Sequence, residues 1–268
     1  MRRIFTLSLL CILLLSGCMV RDSLYELAST SSSHPGPPSI IVFDPQDGLR
    51  GVPRNGLIAM LFSQSMDEAS VERNFTYSYK GRRYDALDGA FAWDASSRLV
   101  MFKPLAFFPY DAPLGTEVTV RMDYKGQSVD GDKLNSTYEW RFRTSDVTDF
   151  AGGSVTNVQG SYPSPGPQGL DTRISVDFDK EVLRSTVEAS LLIMSDDFQD
   201  TRLIDDGQVD WTQPAEGTFR ATYIPDSPLL PGMIYHFLLN NDGMIPVDLT
   251  GNPLYLGAFL PFQFQTTS

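Results

Sequence analysis

The feature that most constrains this chain is that it repeats itself once, about 116 to 122 residues apart, and alternates apolar with polar residues inside each copy. Ile58-Ala59-Met60-Leu61-Phe62 lines up with Ile174-Ser175-Val176-Asp177-Phe178, and Met66 and Val71 with Val182 and Val187. Asp88-Gly89 with Trp93 is matched by Asp206-Gly207 with Trp211, and Phe102-Lys103-Pro104 by Tyr223-Ile224-Pro225. Both copies close alike, in Trp140-Arg141-Phe142-Arg143-Thr144 and Phe262-Gln263-Phe264-Gln265-Thr266. An alternation of period two is that of a strand with one buried face. Val118, Val120 and Met122 therefore share a face opposite Thr119 and Arg121, as do Tyr138, Trp140 and Phe142 opposite Glu139 and Arg141. In Leu57 to Phe62 the pattern is broken by Leu61, which would point outward, so this strand is expected to be covered on both faces.

Turn-forming pairs punctuate the strands at Asp44-Pro45, Asp47-Gly48, Asn55-Gly56, Asp88-Gly89 and Gly251-Asn252-Pro253. Long helical periodicity is missing, with at most a turn or two over Asp67 to Arg73 and Lys180 to Glu188. Seven or so short strands in each copy of about 110 residues describe an all-β fold of two tandem immunoglobulin-like β-sandwiches, which a closed barrel fits less well. The expected layout places the first sandwich at 38–145, a linker at 146–153 and the second sandwich at 154–268.

Both copies resemble the bacterial Ig-like domain of the S-layer-protein (SbsA) type. In the first copy the resemblance is carried by Asp44-Pro45, Val52-Pro53, the strand ending at Ser63, Met66-Asp67, Trp93, Phe102-Lys103-Pro104, Gly115-Thr116 and Phe142-x-Thr144. In the second it is carried by Phe178, Val182, Trp211, Pro225, Leu230-Pro231-Gly232, Tyr235, Asp248-x-x-Gly251-Asn252 and Phe264-x-Thr266. Two departures stand out: in the second copy the expected Pro-rich opening has become Tyr162-Pro163-Ser164-Pro165-Gly166-Pro167, and in the first copy the Asp-x-x-Gly-Asn turn is reduced to Asp130-Gly131-Asp132-Lys133. Motifs of this kind concern folding, so what the resemblance implies is architecture rather than activity.

Ahead of the repeats, Arg2 and Arg3 precede the apolar run Ile4 to Leu15, which has the length of a signal-peptide core and falls short of the roughly 20 residues that span a bilayer. Leu15-Ser16-Gly17-Cys18 resembles the bacterial lipobox. That resemblance implies a lipoprotein signal peptide at 1–17, cleavage before Cys18, and acylation of the Cys18 sulfur and of the new amino terminus. The polar, Pro-rich stretch completing 18–37 reads as a flexible tether, on the order of 25 Å in mean reach if treated as a coil. Met19 is not the Asp that resembles an inner-membrane retention signal, so the expected location is the cell envelope, and its outer membrane if the source has one. The only other cysteine, Cys11, falls in the discarded segment, so no disulfide is expected and stability must come from packed cores.

Removing Arg2 and Arg3 with the signal takes the formal charge from −12 to −14, which argues against nucleic acid as a partner. The expected partners are the membrane, through Cys18, and an envelope protein or glycan. No catalytic residues and no cofactor are expected. Only two histidines exist, His34 in the tether and His236 on an outward-facing strand position, so a Ser-His-Asp arrangement has no base. Asp196, Asp197 and Asp200 lie in the densest acidic stretch and are the candidates for a calcium site, although the ordered EF-hand spacing is missing. A solvated acidic loop is the plainer reading. Asp248 is expected to cap a turn in which Gly251 supplies positive φ. Tyr77, Tyr79 and Phe107 to Tyr110 are the aromatics that a carbohydrate-binding surface would use. The expected function is thus a non-enzymatic, lipid-anchored spacer and binding platform. The alternatives are a carbohydrate-binding surface lipoprotein, a glycan hydrolase, or a metal carrier, for which Met60, Met66 and Met122 look structural.

Overall fold

Among the described residues, sixteen short strands, set by the alternation above, pair into four antiparallel sheets of four strands each. A computed structural model describes residues 36–160, 168–241, 243–257 and 261–268. Cys18, the tether with His34, and the opening at Tyr162 to Pro167 lie outside the described residues. The first eight strands are β1 (Ile40–Asp44), β2 (Ile58–Phe62), β3 (Phe75–Tyr79), β4 (Arg82–Tyr84), β5 (Gly89–Trp93), β6 (Leu99–Pro104), β7 (Glu117–Met122) and β8 (Tyr138–Arg143). They form sheets of order β1-β2-β6-β5 and β4-β3-β7-β8. The next eight are β9 (Val155–Gln159), β10 (Ile174–Phe178), β11 (Leu191–Ser195), β12 (Thr201–Arg202), β13 (Gly207–Ala215), β14 (Thr218–Pro225), β15 (Ile234–Leu239) and β16 (Phe262–Gln265). Their sheets run β9-β10-β14-β13 and β12-β11-β15-β16, the same order shifted by eight strands. The sequence repeat is therefore a repeat of topology.

Each pair of sheets encloses its own core. Met60, Phe75, Phe102, Val120 and Trp140 sit in the first, and Val176, Phe178, Ile193, Tyr223 and Phe237 in the second. Burial follows the alternation: Val118, Val120 and Met122 are buried while Glu117 and Arg121 are exposed. The chain closes each sandwich by passing from one sheet to the other. After β1, Gly48 and Val52 donate to the carbonyls of Arg141 and Arg143 at 2.7 and 3.1 Å along β8. After β9, Gln168 donates to the Gln265 carbonyl at 2.7 Å along β16.

Two short helices occupy equivalent places, α1 (Glu68–Asn74) and α2 (Arg184–Ser190). They enter with the same geometry, Asp67 at φ −69° and ψ 103° and Leu183 at φ −71° and ψ 106°. Asp67 caps α1 in the usual way, its carboxylate accepting from Ser70 N at 2.9 Å. Leu183 has no such group. The cap is supplied instead by Asp44 at the end of β1, which accepts from Ser185 N at 2.8 Å. Relieved of capping, Leu183 is buried with Leu57, Ala59 and Leu249 in a third apolar cluster, against Leu49, Met101 and Val247. Burying a leucine in this way contributes about 2 kcal/mol. This cluster joins the two sandwiches and covers the outward Ala59 of β2, which is fully buried; the outward Leu61, outside the cluster, is only 2% exposed.

Polar contacts complete the junction. Arg98 grips Asp205 with two hydrogen bonds of 2.6 and 2.8 Å, and Leu57 N donates to Leu249 O at 2.8 Å. Residues 146–153 are held from both sides. Asn55 exchanges two hydrogen bonds with the Asp149 backbone, at 2.6 and 2.9 Å. Lys180 pairs with Asp149, donates to the Ala151 carbonyl and reaches Asp248 at 2.9 Å. Gly36 to Ser268 accordingly forms one compact unit.

The turn at Asp248 has the expected form. Its carboxylate accepts from Thr250 N at 2.8 Å and Asn252 N at 3.0 Å, and Gly251 has φ +86°. In the first sandwich Gly131 takes the place of Gly251, with φ +89°, and the capping group is Ser128, whose hydroxyl accepts from Asp132 N at 3.2 Å. Ser128 rather than Asp130 thus stands where Asp248 stands: the strand bridges Met66 to Ser128 and Val182 to Asp248 fix the correspondence.

Replacing the cap tests the junction. Asp44→Ala leaves Ser185 N without its acceptor and is expected to lower unfolding stability by about 1–2 kcal/mol. Asp44→Asn, which keeps an acceptor, is expected to lose less. Urea denaturation followed by tryptophan fluorescence measures both, and equal losses would show that the cap is not what matters.

Candidate functional site

Between the two sandwiches a cleft of about 530 Å³ opens along β1 and β13. Ile41, Val42 and Phe43 line one side and Gly207, Gln208 and Val209 the other, with Arg184, Glu188 and Trp211 between them. Helix α2 brings Arg184 and Glu188 to one face, because residues four apart lie one above the other. Trp211 lies on β13, packed over Phe178 with ring centroids 6.2 Å apart. The Arg184 guanidinium sits 5.1 Å from the Trp211 ring centroid. Trp211 Nε1 donates to Glu188 Oε1 at 2.8 Å.

The same pair exists in the first sandwich, where Trp93 Nε1 donates to Glu72 Oε1 at 3.2 Å. There the glutamate is half-buried; Glu188 is only 6% exposed, because the first sandwich covers it. Burial is the main cause that pushes the Glu188 carboxyl up from its ordinary 4.5 to about 7. The Trp211 hydrogen bond and Arg184 pull against that rise, while Asp44 adds to it. Burial likewise raises Asp44, opposed by its hydrogen bonds from Ser185 and Gln46. Chemically, the cleft offers a carboxyl that can hold a proton near neutral pH beside a cation and an indole. Its companion acid Asp44 is turned onto the α2 backbone rather than toward Glu188 as an acid/base partner.

Sequence inspection alone passes over Glu188 and Arg184. A signal was present: Glu72 and Glu188 directly follow the matched Val71 and Val187, and each tryptophan follows at nearly the same distance.

The acidic stretch proposed for calcium is not brought together as a site. Asp200 is buried and accepts from Tyr235 Oη and Arg202 Nε, each at 2.5 Å. Asp197 accepts from Ser195 Oγ at 2.7 Å and Gln199 N at 3.1 Å, and Asp196 pairs with His236. Each carboxylate is spent on its own donor, and among the described residues no three His, Cys, Asp or Glu side chains converge to hold a metal. Met60, Met66 and Met122 are buried in the first core.

The aromatic candidates divide. Tyr77, only 4% exposed, and Phe108 belong to the core and cannot present a ring to a sugar. Tyr79 and Tyr84 are half-buried and stack at 4.5 Å, with the Arg82 guanidinium 4.9 Å from the Tyr84 ring centroid. Phe107 is exposed and Tyr110 half-buried. Trp140 lies in the first core, whereas Trp93 and Trp211 pack at the core margins.

With this geometry in place, the comparisons can be stated. Residues 35–144 match the bacterial Ig-like domain. The match covers the first sandwich, fewer than half of the 268 residues. No curated protein matches the chain in sequence. Solved structures similar to it include the MG0-NIE-MG1 region of native alpha-2-macroglobulin from Escherichia coli, at 13% identity and a TM-score of 0.31, covering 90% of this chain and 74% of that one. The N-terminal part of the bacterial S-layer protein SbsC aligns at 12% identity and a TM-score of 0.30, covering 85% of this chain and 45% of that one, so the chain spans less than half of it. The Ig1-2 module of the Drosophila receptor protein tyrosine phosphatase DLAR aligns at 12% identity and a TM-score of 0.23, covering 83% of this chain and all of that module. The Ig-like fold assignment rests on the four sheets and on the family match.

The raised Glu188 carboxyl has a measurable sign. Because its folded value lies above the unfolded 4.5, its contribution to stability is full below pH 4.5 and is lost as pH rises through about 7. Between pH 5 and 8 the unmodified protein is expected to lose on the order of 2–3 kcal/mol relative to Glu188→Gln. Thermal melts of both proteins across that range check this; parallel curves would refute it.

Proposed function

We propose that this chain is a lipid-anchored, non-enzymatic protein of the bacterial cell envelope, in which two Ig-like sandwiches act as a spacer and binding platform. The observation that carries this reading is Leu15-Ser16-Gly17-Cys18 closing a short apolar run and followed by a Pro-rich stretch, ahead of a bacterial Ig-like domain. In this reading residues 1–17 are removed, Cys18 is acylated, and the stretch to residue 37 gives reach. Two acyl chains or more hold a protein stably at a bilayer, whereas one does so only marginally. The sandwiches at 38–145 and 154–268, joined through 146–153, then project from the membrane as a welded pair. Supporting this is the way the junction spends its polar groups: Asp44, Arg98, Asp149, Lys180, Asp205 and Asp248 all hold one part of the chain against another. Such a pair transmits position and presents edges and loops to a protein or glycan of the envelope. The destination is the outer membrane if the source has one.

Metabolic labelling with a clickable palmitate analogue tests the anchor. The unmodified protein is expected to take up label and to sediment with membranes, and Cys18→Ser to lose the label and retain its leader. An unlabelled wild type, or a Cys18→Ser protein that still takes up label and loses its leader, would overturn the anchor.

A further inference from the structure

The junction between the sandwiches buries two acids and meets both with uncharged donors. Glu188 is 6% exposed and Asp44 1%. The Glu188 carboxyl has one hydrogen bond among the described residues, from the Trp211 indole, and Asp44 accepts from the Ser185 amide and the Gln46 side chain. Arg184, one turn before Glu188, lies over the Trp211 ring and is 3.6 Å from Glu181. A carboxylate taken out of water and met only by neutral groups is destabilised relative to its protonated form.

What removes the water from Glu188 is the other sandwich. Its counterpart Glu72 makes the same bond to Trp93 and stays half-buried, because no second sandwich lies over α1. Helix α2 packs against β1, β2 and β6 of the first sandwich and β15 of its own. Of these, β1 brings Asp44, β2 has no titratable side chain, β6 carries the exposed Lys103, and β15 carries His236, paired with Asp196. Beside the helix, Asp205 is paired with Arg98 and Asp210 is exposed on β13. The charged groups that act on Glu188 are Arg184 and Asp44, in opposite senses. Each sandwich has a core of its own, so the junction can loosen without opening either.

We infer that the contact between the two sandwiches is proton-linked: the junction closes on a protonated Glu188 and loosens as that carboxyl ionises, while each sandwich stays folded. The sign follows from burial, since contact raises the proton affinity of Glu188, and by linkage the proton strengthens the contact. The joined state is therefore favoured most at acid pH and progressively less as pH rises through about 7. A spacer built this way is stiff in acid and gains a hinge above neutral pH. The inference does not depend on the lipid anchor, so a negative labelling result at Cys18 leaves it standing.

The test is amide hydrogen exchange of the full-length protein between pH 5 and 8, each rate divided by that of an unprotected amide at the same pH. Leu57 and Ser185 report the junction, because Leu57 N donates across it to Leu249 O and Ser185 N to Asp44. Both are expected to be protected about tenfold less than the central strands β7 and β15, as local opening requires. With a proton affinity raised from 4.5 to about 7, protection at both is expected to fall about 70-fold from pH 5 to pH 8. Glu188→Gln is expected to remove that fall, and Glu72→Gln and His236→Gln to leave it. Junction amides protected as strongly as β7 and β15 would show that the sandwiches part only on global unfolding, and would overturn the inference. So would protection independent of pH in the unmodified protein, a fall that survives Glu188→Gln, or one abolished by His236→Gln. The unmodified protein and His236→Gln decide the matter even where Glu188→Gln does not fold.

Discussion

A single carboxylate ties the molecule together. Asp44 lies at the end of the first strand of one sandwich and caps the short helix of the other, accepting from Ser185 N at 2.8 Å in a site from which water is excluded. Burying an acid is unfavourable unless its oxygens are satisfied, and here the helix amide and Gln46 satisfy them. The contact has no counterpart within the first sandwich, where Asp67 caps α1 from the position directly before the helix. Among the differences between these two matching topologies, Asp67 against Leu183 is the one that turns a local cap into a contact across the junction.

From that exchange the remaining features of the junction follow. Leu183, freed from capping, enters an apolar cluster that covers the outer face of β2. Covering β2 brings α2 against the first sandwich, and the Glu188 carboxyl, equivalent to the half-buried Glu72, loses its solvent and is pushed to about 7. The same approach sets β1 and β13 on opposite sides of one cleft. The two halves are thereby held as one compact unit.

Much of the fold was legible residue by residue. Val118 to Met122 and Trp140 to Phe142 alternate in sequence and in burial, and the helical turns fall within a few residues of where apolar spacing puts them. The Asp248 turn was readable because its chemistry is local: one carboxylate, two nearby amides and a glycine at positive φ. Leu61 was readable as an anomaly, a side chain on the wrong face, though not what would cover it. The candidate site was far less legible. Asp196, Asp197 and Asp200 are neighbours in sequence, yet strand geometry sends them to His236, Ser195 and Arg202 respectively. Glu188 and Arg184 carry no local mark in the sequence, because the surface that buries Glu188 belongs to the other sandwich.

What the amino-acid sequence determined by itself was the pair of sandwiches, since strand period, turn chemistry and internal repetition are properties of residues close together along the chain. The tertiary structure alone decided how those sandwiches meet, because a leucine in a capping position has no meaning until a carboxylate about 140 residues away is found to stand in for it. Burial, and with it the proton affinity of Glu188 and the shape of the cleft, depends on which surfaces come into contact in space, and no local pattern encodes that.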